Sequence, residues 1–201
     1  MMSPYFESLI KNSLTVLADE PDDASAMVWS EAEASAEFEN SDKAIYKLDL
    51  IDKEVLLEEI EDLLAYDGIR KVKELWLDRN EFGNEGVEVL ANSSQLKKIL
   101  VLSLAHNKLT NYSAQSIAVS PYLGQLQKLF LQGNEVGLEG LKALTESETL
   151  SNLKLLYLNL NPIGSAGAKI LAGDSKLQSL EELYLQKSGL ALEGVKELCE
   201  S

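Results

Sequence analysis

Very few residues in this chain could carry out chemistry. His106 is the only histidine and Cys199 the only cysteine among 201 residues. A Ser-His-Asp or Cys-His arrangement needs an imidazole as base, so it would have to be built on His106. At the equivalent places, 27 residues apart, stand Arg79, Gly133, Leu160 and Lys187. That slot therefore reads as a variable surface position. Cys199 falls where Ala91, Ala118 and Ala172 stand earlier in the chain, so a small buried thiol is expected there. One histidine and one distant cysteine make no zinc ligand set, and the carboxylates show no EF-hand spacing. The runs Gly83-Asn84-Glu85-Gly86, Gly137-Leu138-Glu139-Gly140 and Gly164-Ser165-Ala166-Gly167 lack both G-x-G-x-x-G and the G-K-[ST] ending of a phosphate loop. Neighbouring acids such as Glu58-Glu59 and Glu181-Glu182 are commonplace in an acidic chain. No catalytic residue, metal or cofactor is expected, and the protein reads as a non-enzyme.

The chemistry that remains is recognition. A column of residues at the 27-residue spacing reads Asp49, Trp76, Ser103, Phe130, Tyr157, Tyr184. Four of the six are aromatic in a chain that is 6% aromatic overall, so the column is enriched. Val101 and Leu155 lie beside it, with Leu160 close by. Exposed aromatic and apolar side chains gathered in one patch mark a binding surface. Trp76, Phe130, Tyr157, Tyr184, Val101 and Leu155 are thus the candidate partner-binding residues, and the partner expected is a protein or peptide.

The column exists only because the chain repeats. Asn80, Asn107, Asn134 and Asn161 are each 27 residues apart, and a fixed period in this range signals a solenoid. In the clearest unit, Leu126, Leu129, Leu131, Asn134, Val136, Gly137, Gly140 and Leu144 form a frame that recurs as Leu153, Leu156, Leu158, Asn161, Ile163, Gly164, Gly167 and Leu171. Leu129 and Leu131 alternate with Phe130, so the leucines face inward and Phe130 outward on a strand. Asn134 leaves the strand, where its amide can bond the backbone of a turn. Gly137 and Gly140 allow a tight turn, and Leu141 and Leu144 follow at helical spacing. One unit is strand, turn, helix, and its apolar face is buried only by stacking on neighbours.

The pattern L-x-x-L-x-L-x-x-N resembles the leucine-rich repeat family, in its ribonuclease-inhibitor-like class. That resemblance implies an α/β fold: a right-handed solenoid with a parallel concave sheet and convex helices. It covers residues 45–201 in about six repeats. The first repeat has Lys53 in place of the asparagine and the last has Ser188. Thr110 and Ser113 replace glycines in the repeat of Asn107, so a different turn is expected there. Leucine-rich repeat GTPase activators are similar in repeat type, which gives a second reading: a regulator of a small GTPase or other enzyme. A structural role through self-association is a third.

Residues 1–44 differ from the rest. Ser3-Pro4 reads as an N-cap with proline at the first helical position, and Leu9, Ile10, Leu14 and Leu17 suit a helix running to about Ala18. A second helix is expected around residues 24–38. Together they would form an N-terminal helical cap over the first repeat. The chain carries a net −15, of which −8 falls in residues 1–44. Such acidity argues against a phosphate-backbone binder, so no nucleic acid is expected. On the outward strand positions six cations (Lys47, Lys73, Arg79, Lys128, Lys154, Lys187) balance six anions (Asp49, Asp52, Glu74, Asp78, Glu181, Glu182), which places the acid surplus on the cap and the helical side. No apolar run reaches the roughly 18 residues of a membrane span. The start, Met1-Met2-Ser3-Pro4-Tyr5, has no secretory pattern. With a lone cysteine, these features place the expected location in the cytoplasm. The expected state is a monomer, or a weak dimer through the end that follows residues 182–186.

Overall fold

The computed structural model describes residues 2–17, 45–173, 175–190 and 196. The second helix expected around residues 24–38, and Cys199, lie outside these described residues.

The chain opens with helix α1 (Pro4–Asn12). Ser3 Oγ accepts the Phe6 amide at 3.1 Å, and Pro4 occupies the first turn, where its missing N–H costs nothing. The helix does not run on to Ala18 as expected. Leu14–Leu17 form a strand, β1, paired antiparallel with β2 (Ile45–Asp49), Leu14 opposite Leu48 and Leu17 opposite Ile45. Two influences outweigh the helical spacing here. Thr15 and Val16 are β-branched and favour strands. The free edge of β2 offers unpaired backbone groups that an added strand satisfies. Phe6, Ile10 and Leu14 join the same apolar cluster as Tyr46 and Leu48, so this stretch closes one end of the core.

The repeats follow in strict succession. Helix α2 (Leu57–Ala65) leads to β3 (Val72–Trp76), α3 (Gly83–Ala91) to β4 (Val101–Ser103), and α4 (Asn111–Ala118) to β5 (Lys128–Phe130). Helix α5 (Leu138–Thr145), β6 (Leu155–Tyr157), α6 (Ala166–Leu171) and β7 (Glu182–Tyr184) complete the described chain. The seven strands lie side by side in sequence order, and from β2 onward each pairs parallel with the next. Single 3₁₀ turns, Asp67–Lys71 and Ser94–Leu96, steer the chain into β3 and towards β4. From α2 onward each helix packs beside its successor. The fold is the expected α/β solenoid.

Between the layers lies a continuous leucine core. Leu48, Leu75, Leu102, Leu129 and Leu156 stand in register on consecutive strands and are buried. Leu50, Leu77, Leu104, Leu131 and Leu158 repeat the arrangement two residues later.

The asparagine ladder holds the turns. Asn134 Nδ2 donates to Leu131 O of its own repeat (2.9 Å) and to Leu104 O of the preceding one (3.0 Å). Its Oδ1 accepts from the amides of Asn107 (2.9 Å) and Leu109 (3.1 Å), both also in the preceding repeat. Asn80 likewise accepts from Lys53 and Val55 and donates to Leu50 O, and Asn107 accepts from Asn80. Ser188, in the asparagine position of the last described repeat, keeps one of these bonds, from Oγ to Leu158 O (3.0 Å). In the repeat of Asn107, Thr110 caps α4 by accepting the Tyr112 amide, and Ser113 Oγ donates to Asn84 Oδ1, so hydroxyl groups serve where other repeats use glycine. Glycine is needed at position 140: a Cβ there would lie 2.7 Å from Val136 Cγ1 and 2.8 Å from Asn111 Oδ1.

The residue before each ladder position turns left-handed. Asp52, Arg79, His106, Leu160 and Lys187 have φ between 56° and 60°, and Gly133 has 68°. For an L-residue this conformation costs roughly 1–2 kcal/mol, against a glycine entropy penalty of roughly 0.5–1 kcal/mol. Leu160 is 44% exposed and gives up little packing. Leu160→Gly is therefore expected to raise stability by about 0.5–1 kcal/mol, read as a higher urea midpoint; an unchanged or lower midpoint would contradict this account.

Candidate functional site

The strand register carries the outward column across the sheet. Asp49, Trp76, Ser103, Phe130, Tyr157 and Tyr184 pair in that order. The four aromatic rings touch. Tyr157 and Tyr184 stack at 4.1 Å between centroids with 12° between planes, and Phe130 and Tyr157 meet at 4.9 Å. Trp76 and Phe130 meet at 5.4 Å although Ser103 separates them in sequence register. Strands lie about 4.8 Å apart, so rings two strands apart must lean toward each other to do this. Ser103 is small and fully buried, which leaves room for them to close. Trp76 thus joins the row across Ser103. All four rings remain half-buried, with part of each surface in solvent.

The polar tips of the row are held by the residue two positions earlier on the same strand. Trp76 Nε1 donates to Glu74 Oε2 (3.3 Å), and Tyr184 OH donates to Glu182 Oε2 (2.8 Å). The hydrogen bond to the Glu182 carboxylate, with Tyr157 beside it, pushes the Tyr184 phenol up to about 12. Lys47 Nζ lies 4.5 Å from the centroid of the Trp76 ring and 3.1 Å from Asp49, a cation–π contact at the near end of the row. Sequence reasoning missed these supports as part of the site. The signal that points to them is the two-residue alternation that puts Lys47, Glu74 and Glu182 on the aromatic face.

Two expectations need correction. Val101 does lie on the outward face beside the row, but it is buried, only 5% exposed. It is flanked in register by Glu74 and Lys128, and long side chains on neighbouring strands cover a short one between them. Leu155 is half-exposed and stays with the rings. Asp78, counted among the surface anions, is 9% exposed. Its Oδ1 accepts from Ser103 Oγ and from the Ala105 amide (2.7 Å). Burial raises its pKa, against the opposing pull of those two hydrogen bonds. Folded Asp78 therefore holds its proton to a higher pH than in the unfolded chain. Its carboxylate disfavours folding above both values, and the penalty fades as pH falls through the raised value to 3.8. The stability of Asp78→Asn relative to wild type should accordingly decline as pH is lowered from 7 to about 4. Urea midpoints that keep a constant difference across that range would refute this.

His106 is exposed, and its ring lies over Gly133, so that a Cβ on Gly133 would meet it at 2.2 Å. It sits among the left-handed turn residues and forms no constellation with a nucleophile among the described residues. Among the same residues, no three His, Cys, Asp or Glu side chains gather as metal ligands, and no helix is long and apolar enough to cross a membrane.

The family described as Leucine Rich repeat matches residues 68–91, 126–144 and 149–172. These segments fall on three of the units built above. Over these segments the chain is built of leucine-rich repeats. No curated protein matches it. Solved structures similar to this leucine-rich repeat chain include the tropomodulin C-terminal domain of Caenorhabditis elegans, at 14% identity and a TM-score of 0.50, over 72% of this chain and 89% of that one. Another is the leiomodin-1 structure described as actin-binding site 2, at 16% identity and a TM-score of 0.51, over 73% of this chain and 87% of that one. At such identities the likeness is one of fold.

Proposed function

We propose that this leucine-rich repeat protein is a non-enzymatic, cytoplasmic interaction module that binds a protein or peptide across the row Trp76, Phe130, Tyr157 and Tyr184, with Leu155 at its side. The observation that carries this reading is the unbroken ring contact along the row, at 5.4, 4.9 and 4.1 Å, on a half-exposed sheet face. Rings already held by neighbours lose little freedom when a partner covers them, and such preorganisation favours affinity. Residues 1–44 serve as the cap and residues 45–201 as the binding solenoid. The domain works as a monomer or a weak dimer.

The similar leiomodin-1 structure is described as an actin-binding site, which makes actin the first partner to try. Affinity capture with wild type and with Phe130→Ala/Tyr157→Ala tests the reading, alongside co-sedimentation with actin filaments. Partners captured equally by both forms would refute the aromatic face as the binding surface. Partners lost only from the double variant would support it.

A further inference from the structure

We propose that a basic cleft at the leading ends of β3 and β4 is a second docking site, for a short acidic peptide segment of a protein partner. Arg70, Ser94, Gln95, Lys97 and Lys98 line a cleft of about 410 Å³. It lies where the two 3₁₀ turns bring the chain to the sheet, away from the stacked rings. Lys73 adjoins it, its Nζ donating to Lys98 O at 3.1 Å.

Three observations set this place apart. The protein carries 33 acidic against 18 basic residues, yet four of the basic ones gather here. Among the described residues none of Arg70, Lys73, Lys97 and Lys98 forms an ion pair, a state they share with cations elsewhere such as Lys128 and Lys187, but which here falls on four charges gathered at one cleft. Crowding of like charge without compensation is unfavourable, and burial together with the Lys98 charge lowers the Lys73 pKa. The cluster is also partly ordered. Arg70 Nε donates to Gln95 Oε1, which orients the guanidinium.

The arrangement suits a peptide better than a single phosphate. Arg70 and Lys73 belong to one repeat, Lys97 and Lys98 to the next, so the charges are spread over two neighbouring repeats. Strand spacing of about 4.8 Å is close to the roughly 5–6 Å between side chains one helical turn apart. A long polyanion would extend beyond the cleft into the field of a protein with net charge −15. A short acidic stretch avoids that.

Fluorescence anisotropy with a labelled octaglutamate peptide tests the proposal on the full chain. Wild type should bind at about 20 mM salt and lose at least about tenfold in affinity by about 300 mM. Lys97→Glu/Lys98→Glu should bind at least about tenfold more weakly with an unchanged circular dichroism spectrum and melt, since both side chains are exposed. Equal binding by wild type and the double variant would overturn the proposal, as would absence of binding. Displacement of the peptide by millimolar inorganic phosphate would assign the cleft to a small oxyanion and overturn the peptide assignment. The chain's own acids at Asp19, Glu20, Asp22 and Asp23 supply a further control. If the peptide binds only after these are changed to Asn or Gln, the cleft serves the chain's own acidic stretch and the partner assignment fails.

Discussion

Asn134→Ala is expected to lower stability by about 3 kcal/mol or more, among the largest effects of any single polar substitution in this protein. The side chain is 5% exposed and makes four bonds, two as donor and two as acceptor, all to backbone groups. Each buried backbone group left without a partner costs about 1–3 kcal/mol, and local relaxation recovers part of the sum. Asn152→Ala is the natural control: that amide bonds Gly124 O at 2.7 Å on the surface, where water replaces it. Urea melts of the two variants should differ by several-fold in their loss of stability. If they lose the same amount, the ladder contributes little to holding the turns.

The largest functional effect is expected from Phe130→Ala/Tyr157→Ala. These rings are the middle of the row, each in contact with the other and with a further ring. Truncating one binding hot spot costs about 2 kcal/mol or more, which corresponds to a loss of about thirtyfold in affinity. Removing two adjacent ones breaks the row into separated ends and should abolish capture. The leucine core behind them, Leu129, Leu131, Leu156 and Leu158, is untouched. Part of the effect on stability comes from lost ring contacts, worth about 0.5–1.5 kcal/mol per aromatic pair. The melt must therefore be measured beside the binding. Binding should respond only modestly to salt, since Glu74 and Glu182 are engaged with ring tips and Lys47 with Asp49. A double variant that folds and still captures the partner would place binding elsewhere on the solenoid.

The repeat was legible in the sequence because its causes are local and periodic. Asn134 is spaced from Asn107 by one full turn of the solenoid, and that spacing alone fixes which side chains share a column. Leu129 in and Phe130 out follows from the strand alternation. What depended on neighbours was harder to read. The helical spacing of Leu9, Ile10, Leu14 and Leu17 carries no sign that β2 has a free edge, so the strand Leu14–Leu17 was out of reach. Val101 and Asp78 occupy outward positions by phase, but their burial is set by the residues beside them, Glu74, Lys128, Ser103 and Ala105. Ser103 breaks the run of aromatic residues along the column; in three dimensions its small size is what lets Trp76 reach Phe130.

The ladder also gives the solenoid a mechanical direction. Each asparagine secures the turn of the repeat before it: Asn80 holds Lys53 and Val55, Asn107 holds Asn80, and Asn134 holds Asn107 and Leu109. A pull that peels the repeats from the Ser188 side removes, with each unit lost, the fastening of the unit now exposed. A pull from the Ile45 side leaves every remaining turn still fastened by its successor. The weakest fastening, a single serine hydroxyl on Leu158 O, sits at the side from which unravelling propagates most easily. The molecule should accordingly resist tension unequally at its two ends, as a ratchet does, and give way in order from high residue numbers to low.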